Sequence, residues 1–225
     1  MPPKPKFSRE EIVSAAFGLM EERGMEAVVA REIAKRLNCT VAPIFTCFEN
    51  MEELKAAVHA RAMEVFTATL LGCVDYFPSF KEFGLRWVRM AREHPHVYSE
   101  VFLRKGGDAA GAIVSGELWE ALRPVRREVE ATFSVTEADA AQIMQDMLIV
   151  AHGLAAIQIG SRSEMTDAAL RETLSRMCIS LVAGIQVRDG RVNEPQLRMM
   201  LSHTDMIPQK KSDTAARRSS AEKSV

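Results

Sequence analysis

The spacing of its apolar residues restricts this chain most: they recur at intervals of three and four, and no stretch keeps a convincing period of two. Ile12, Ala15, Ala16 and Leu19 share one helical face, and so do Leu54, Ala57, Val58, Ala62 and Val65 further on. The class expected is all-α. Punctuation residues divide the helices. Ser8 and Glu11 form a capping box, and Gly24 supplies a left-handed closing position. A short second helix is expected from about Ala30 to Leu37, followed by Asn38, which tolerates a left-handed turn. Thr40 is expected to cap a third helix running to about Cys47, with Pro43 in its first turn. Asn50 and Glu53 make a second capping box that opens a long helix.

Tyr76-Phe77-Pro78-Ser79 interrupts the pattern. Beyond it, helices are expected at about 80–93, 96–104, 113–133 (strained at Pro124), 137–160 and 167–188, with a short one near 194–202. Thr136 and Thr166 suit N-caps, and Gly190 closes the last long helix. Residues 204–225 form a basic tail without periodicity, for which disorder is expected.

Composition removes several function classes. With 47% hydrophobic and 26% charged residues, the 225-residue chain can bury a sizeable core. Lys and Arg number 29 against 30 Asp and Glu, so any affinity for nucleic acid must come from a local basic face. Cys39, Cys47, Cys73 and Cys178 have no CxxC spacing, which points to reduced thiols in a cytoplasmic protein. No apolar run follows Met1–Lys6, so no signal peptide is expected. Ile143–Gly160 is interrupted by Gln145, Asp146, His152 and Gln158 and reads as a buried core helix, not a membrane span. His94-Pro95-His96 lacks a further ligand, Gly106–Gly111 lacks the lysine of a P-loop, and Ser115, Ser161 and Ser163 lack a nucleophile-elbow context. No catalytic residue, metal or cofactor is expected, and the protein is not read as an enzyme.

Three short helices within about forty residues, with the tight Asn38-Cys39-Thr40 turn between the second and third, describe a helix-turn-helix. The third helix is too short to stand alone, so it must dock on the first two, which leaves its outer side free to enter a major groove. Phe7 to Leu54 resembles the DNA-binding domain of the TetR family of bacterial transcriptional regulators. The resemblance runs through Ile12, Ala15, Ala16, Gly24, Arg31-Glu32-Ile33-Ala34-Lys35-Arg36-Leu37, Thr40, Ile44-Phe45, Phe48 and Glu52-Glu53-Leu54. Ala151-His152-Gly153-Leu154-Ala155 also looks like a stretch common in that family's C-terminal domain. The resemblance implies an all-α homodimer that binds a palindromic double-stranded operator, usually repressing until a small molecule binds the C-terminal domain.

It also marks the DNA-binding candidates: Arg31, Lys35, Thr40, Val41, Ala42, Pro43, Phe45 and Thr46. Arg31 stands where some family members reach a base; the other reading is a solvated Arg paired with a nearby Glu. Val41, Ala42, Pro43 and Thr46 suit thymine methyls or close approach to the groove, with packing on the second helix as the alternative for Val41. Family members usually carry Tyr, His and Lys where this chain has Phe45, Cys47 and Met51, and none of these replacements supplies a cation. Phosphate contacts then fall to Lys4, Lys6, Lys35, Arg36 and backbone N–H groups.

In the C-terminal part, Trp87, Met90, Phe102, Trp119, Met144, Met147 and His152 are candidates for lining an effector pocket, against the alternative of a filled core. Ala151, Leu154, Met177, Leu181 and Ile185, with Met147, are candidates for a dimer interface, because Gly153 and Gly184 sit inside apolar helices at a cost of about 1 kcal/mol each. Intrachain burial is the alternative. The expected organisation is a DNA-binding domain over 1–50 and an effector-binding and dimerisation domain over 51–203, followed by the tail. The function expected is a ligand-responsive regulator, a repressor released by a small apolar effector, without membrane association. The rival is a regulator-like scaffold that has lost DNA binding and serves as a small-molecule or protein-interaction module.

Overall fold

The computed structural model describes residues 7–104, 116–160, 165–191, 195 and 209–210. Helices dominate: α1 (Arg9–Arg23), α2 (Ala30–Arg36), α3 (Ala42–Cys47), α4 (Met51–Leu71), α5 (Ser79–Glu93), α6 (Pro95–Phe102), α7 (Glu117–Ala121), α8 (Arg123–Phe133), α9 (Glu137–Gly160) and α10 (Asp167–Arg188). Short 3₁₀ turns occupy Met25–Ala27 and Gly72–Asp75. Lys4, Lys6, the Gly106–Gly111 loop, Ser115, Ser161, Ser163 and the helix expected near 194–202 (Pro195 excepted) lie outside the described residues.

The start and stop signals act largely as their chemistry demands. The Glu11 N–H donates to the Ser8 hydroxyl at 3.2 Å while the Ser8 N–H donates to the Glu11 carboxylate at 2.7 Å, completing the capping box of α1. Gly24 takes φ 84° and Asn38 φ 49°, the two left-handed positions that end α1 and turn α2 towards α3. The Asp139 N–H donates to Thr136 at 3.1 Å and the Ala169 N–H to Thr166 at 3.2 Å, capping α9 and α10. Gly190, at φ 67°, closes α10 as the Arg191 N–H returns to the Gln186 carbonyl at 2.8 Å.

Four expectations need correction. Thr40 does not cap α3: the helix starts at Ala42, with Val41 in the cap position and no side-chain bond to the helix end. A cap at Thr40 would put Pro43 at the third helical position and remove one of the two N–H groups the hydroxyl could accept from, whereas a start at Ala42 puts the proline at the second position, where its missing N–H is no loss. At Asn50 only half of the box forms. The Glu53 N–H donates to the Asn50 amide oxygen at 2.9 Å, but the Glu53 carboxylate accepts from the Glu49 N–H at 2.7 Å instead of from Asn50. The helix expected over 113–133 breaks at Leu122 into α7 and α8, because Pro124 has no N–H to give the Glu120 carbonyl and its ring would clash there. The tail is not wholly without structure: Gln209–Lys210 pairs antiparallel with Tyr76–Phe77, with Tyr76 opposite Lys210.

The chain divides into two compact units. The first comprises residues 1–68 and 93–110, the second 69–92 and 111–225. In the first, α1 packs against α2 and α6 around Ile12, Met20, Ile33 and Ile44, all fully buried. Removing each such side chain from water contributes about 1.5–3 kcal/mol. Phe66, Tyr98 and Phe102 continue this core as an aromatic cluster, Phe102 lying 4.7 Å from both other rings. Two carboxylate–histidine contacts fasten α6 and its lead-in: His59 Nδ1 lies 2.9 Å from Glu100 and His94 Nδ1 2.8 Å from Glu21.

In the second unit α9 packs on α8 and α10. Glu128 of α8 caps α5 by accepting from the Ser79 N–H at 2.6 Å and the Ser79 hydroxyl at 2.8 Å. α9 and the stretch Met51–Asp75 are long and apolar enough to cross a membrane by length and composition alone. The expected core helix is α9, yet only one of its faces is buried; Ile149 on the other is 73% exposed.

Asp167, at the start of α10, accepts from Arg89 at 2.5 Å and from Arg92 at 2.9 Å. Burial pushes its carboxyl up, but the bonds from Arg89 and Arg92 outweigh that and hold it below the usual carboxylate range. A depressed folded-state value means stability present above the ordinary Asp value of about 3.9 and lost as pH falls through the folded value. Urea unfolding between pH 6 and pH 2.5 should therefore show a smaller acid-induced loss for Asp167→Asn than for the wild type. Equal losses would remove Asp167 from the account of acid stability.

Candidate nucleic-acid interface

α3 is held by its inner side. Ile44 and Phe48 are buried, and Arg9 of α1 clamps the far end: its guanidinium donates to the Cys47 carbonyl at 2.8 Å, pairs with Glu53 at 2.8 Å and lies 4.0 Å from the centre of the Phe48 ring. The Glu49 N–H, and then Arg9, hold the Glu53 carboxyl below its ordinary value. The outer side is left to Thr40, Val41, Ala42, Phe45 and Thr46, all exposed, with Pro43 half-buried beside them. Phe45 is 46% and Val41 39% exposed. The Thr46 hydroxyl donates back to the Ala42 carbonyl at 3.0 Å. Cys47 is half-buried, its thiol 3.6 Å from the Phe7 carbonyl.

The cations of this unit fall into two groups. Arg36 forms two bonds to Glu22, at 2.8 and 2.9 Å, and Arg23 pairs with Glu32 at 2.7 Å. The Arg36 guanidinium also lies over Gly18, where a Cβ would come within 2.8 Å of it. Arg36 therefore holds α2 to α1, and its expected part in gripping phosphates is countered by this tether. Hydrogen bonds from Arg36 and from Arg23 hold the carboxyls of Glu22 and Glu32 below their usual values. Arg31 and Lys35 are exposed and enter no hydrogen bond or ion pair among the described residues. The carboxylate partner considered for Arg31 is absent there: the nearby Glu32 is taken by Arg23. Val41 does not bury itself against α2.

The residues expected around an effector separate in the fold. In the second unit, Met144 and Met147 line an apolar cavity of about 20 Å³ together with Phe80, Phe83, Gly84, Val129, Ile143 and Cys178. Burial pushes the Cys178 thiol up to about 12, so it faces this space as a small neutral group. Trp87 and Met90 are buried on α5 but do not line it, and His152 is half-buried on α9. Trp119 is half-buried with the Arg126 guanidinium 4.6 Å from its ring centre, and Arg126 donates to the Trp119 carbonyl. Phe102 belongs to the aromatic cluster of the first unit. Phe80, Gly84 and Cys178 escaped sequence reasoning, since nothing in their spacing separates a cavity wall from ordinary core.

The expected interface residues likewise fall on different sides. Ala151 is buried within its own unit, Leu154, Leu181 and Ile185 are half-buried, and Met177 is exposed. The exposed apolar stripe is carried by Ile149, Gly153 and Ile157 of α9 and by Met177, Gly184 and Val187 of α10. Ile149, Ile157 and Val187 were missed because the helical phase that decides the outer face depends on what covers the inner one.

A buried three-helix scaffold that presents a short helix outward, with the left-handed Asn38 turn before it, is the arrangement of a helix-turn-helix DNA-binding regulator. Residues 12–58 match the family model described as bacterial regulatory proteins, tetR family, so this segment is a DNA-binding domain of the tetR type. No significant match was found among curated proteins. A solved structure, that of RolR in complex with the ligand resorcinol, is similar to 87% of this chain and 93% of its own, at 20% identity and a TM-score of 0.46.

Proposed function

We propose that the protein is a homodimeric transcriptional regulator of the cytoplasm, a repressor that leaves its operator when a small apolar molecule binds the second unit. The observation carrying this reading is the outward face of α3, together with the exposed Arg31 and Lys35 of α2, in a TetR-type domain. The DNA-binding domain is taken to end near residue 50, and effector binding and dimerisation fall to 51–203. The apolar cavity supports an uncharged effector. At about 20 Å³ it accommodates little more than one water-sized group, so a larger ligand must displace Met144 and Met147, whose unbranched chains repack readily. The exposed stripe on α9 and α10 supports pairing of two copies, and a two-fold dimer implies a palindromic operator with half-sites one helical turn or a multiple apart.

Selection of bound sequences from a random DNA pool tests this directly. A palindromic consensus is expected, and Arg31→Ala should cost about 1–3 kcal/mol and relax preference at one base position per half-site, by removing a side chain suited to guanine O6 and N7. If the substitution leaves both affinity and preference unchanged, Arg31 reads no base. A second reading, the scaffold without DNA binding, is favoured by the engagement of Arg9, Arg23 and Arg36 in internal pairs. Each phosphate neutralised adds about −0.9 to the slope of log affinity against log salt, so a repressor built this way should show a shallow slope. Absence of any sequence preference at low salt favours the scaffold.

A further inference from the structure

The segment from Cys39 to Phe48 contains no Asp, Glu, Asn, Gln, Lys or Arg. Those are the side chains that read base edges by hydrogen bonding: Arg and Lys on guanine, Asn and Gln on adenine, Asp and Glu on cytosine. What the outer side of α3 and its lead-in exposes is the apolar side chains of Val41, Ala42 and Phe45, with two hydroxyls at its edges: Thr46, whose one donor hydrogen is already used on the Ala42 carbonyl, and Thr40, which can bond to any base and so selects none strongly. Of the groups lining a major groove, the apolar one is the C5 methyl of thymine. Among base edges, an exposed Phe and Val gain most by leaving water against such a group.

We infer that α3 reads thymine methyls: Val41, Ala42 and Phe45 select thymine at the operator positions they face, and hydrogen-bonded base reading falls to Arg31 on α2. The inference rests on the DNA-binding reading above and adds to it the chemical identity of the bases recognised. It also gives a use to the exposure of Val41 and Phe45 on the outer side of α3, while Ile44 and Phe48 fill the inner side. Burying one methyl corresponds to about a fourfold change in affinity.

The test uses the full-length protein and the operator recovered from the random pool. Each thymine is replaced singly by uracil, which removes the C5 methyl and leaves every hydrogen-bonding group in place. At two or three positions per half-site, uracil should lower affinity about fourfold. Phe45→Ala and Val41→Ala should each abolish the uracil penalty at one of these positions, while both variants keep a cooperative thermal melt and their affinity for the already uracil-substituted site. Replacing a cytosine by 5-methylcytosine beside α3 should recover part of an affinity lost by a thymine-to-cytosine change. If uracil is tolerated everywhere while the operator is still preferred over scrambled DNA, methyl reading is wrong and the regulator reading stands. If no sequence is preferred even at low salt, the regulator reading itself fails.

Discussion

Replacing both Ile149 and Ile157 by Arg should convert a dimer into monomers and lower affinity for a two-half-site operator about 100- to 10,000-fold. That is the range of avidity gained when two modules bind one ligand together. The two side chains are 73% and 53% exposed, so their loss removes little packing inside the unit and the monomer should keep its fold. They bracket Gly153 on α9, and Gly184 occupies the matching stripe on α10. A Cβ at either glycine would meet nothing within 4 Å in its own chain. A helical glycine costs about 1 kcal/mol, and no neighbour in the chain requires it, so close approach of a second copy is the physical reason offered for both. Gly153→Ala sharpens the test. It should stabilise an isolated unit and weaken a dimer whose helices approach at that point. Sedimentation of the wild type and both variants, with operator titrations in parallel, decides the matter. A persistent dimer in the double-Arg variant would move the interface elsewhere. A monomer with undiminished operator affinity would remove avidity from the account.

Local chemistry explains which parts of this protein were legible before its fold was known. A capping box involves residues three apart, so Ser8 with Glu11 locates the start of α1 with no knowledge of the rest of the chain. The same holds for Thr136, Thr166, Gly24 and Asn38. Pro43 favours a helix start at Ala42 over one capped by Thr40, and Pro124 breaks a helix where only strain is expected; both are local facts that identify the stronger of two competing signals. Long-range pairings were out of reach. Arg36 looks like a phosphate-gripping residue in sequence, and only the approach of α2 to α1 commits it to Glu22. The cavity wall in the second unit joins residues from Phe80 to Cys178, nearly a hundred positions apart. The outer stripe of α9 was invisible for a related reason. A helix apolar on both sides has no amphipathic phase to read, so the sequence leaves Ala151 open between an interface and intrachain burial, and in the structure it is buried within its own unit.

The largest stability effect expected in the second unit belongs to Arg86, a residue with no sequence signature at all. Its Nε donates to Glu82 at 2.8 Å, its Nη1 donates to the Thr69 carbonyl at 2.8 Å, and its guanidinium lies 5.2 Å from the centre of the Tyr76 ring. The Glu82 side chain is 7% exposed, and its other cation, Arg89, stands 3.9 Å away. Arg86→Ala should therefore leave a buried carboxylate without its close partner and cost about 3–5 kcal/mol, most of it the penalty of an uncompensated charge. Replacing both members, as Glu82→Gln with Arg86→Met, should restore most of that loss, because the buried charge leaves together with its counter-ion. A third variant isolates the geometry. A Cβ at Gly72 would come within 2.5 Å of the Arg86 Nη1, so Gly72→Ala must displace the guanidinium and should destabilise the wild type but be tolerated beside Arg86→Ala. Urea unfolding of the four variants measures the coupling. A cost below about 1 kcal/mol for Arg86→Ala, or a double variant no more stable than Arg86→Ala, would show that water reaches Glu82 and that the pair does not hold α5 to the end of α4.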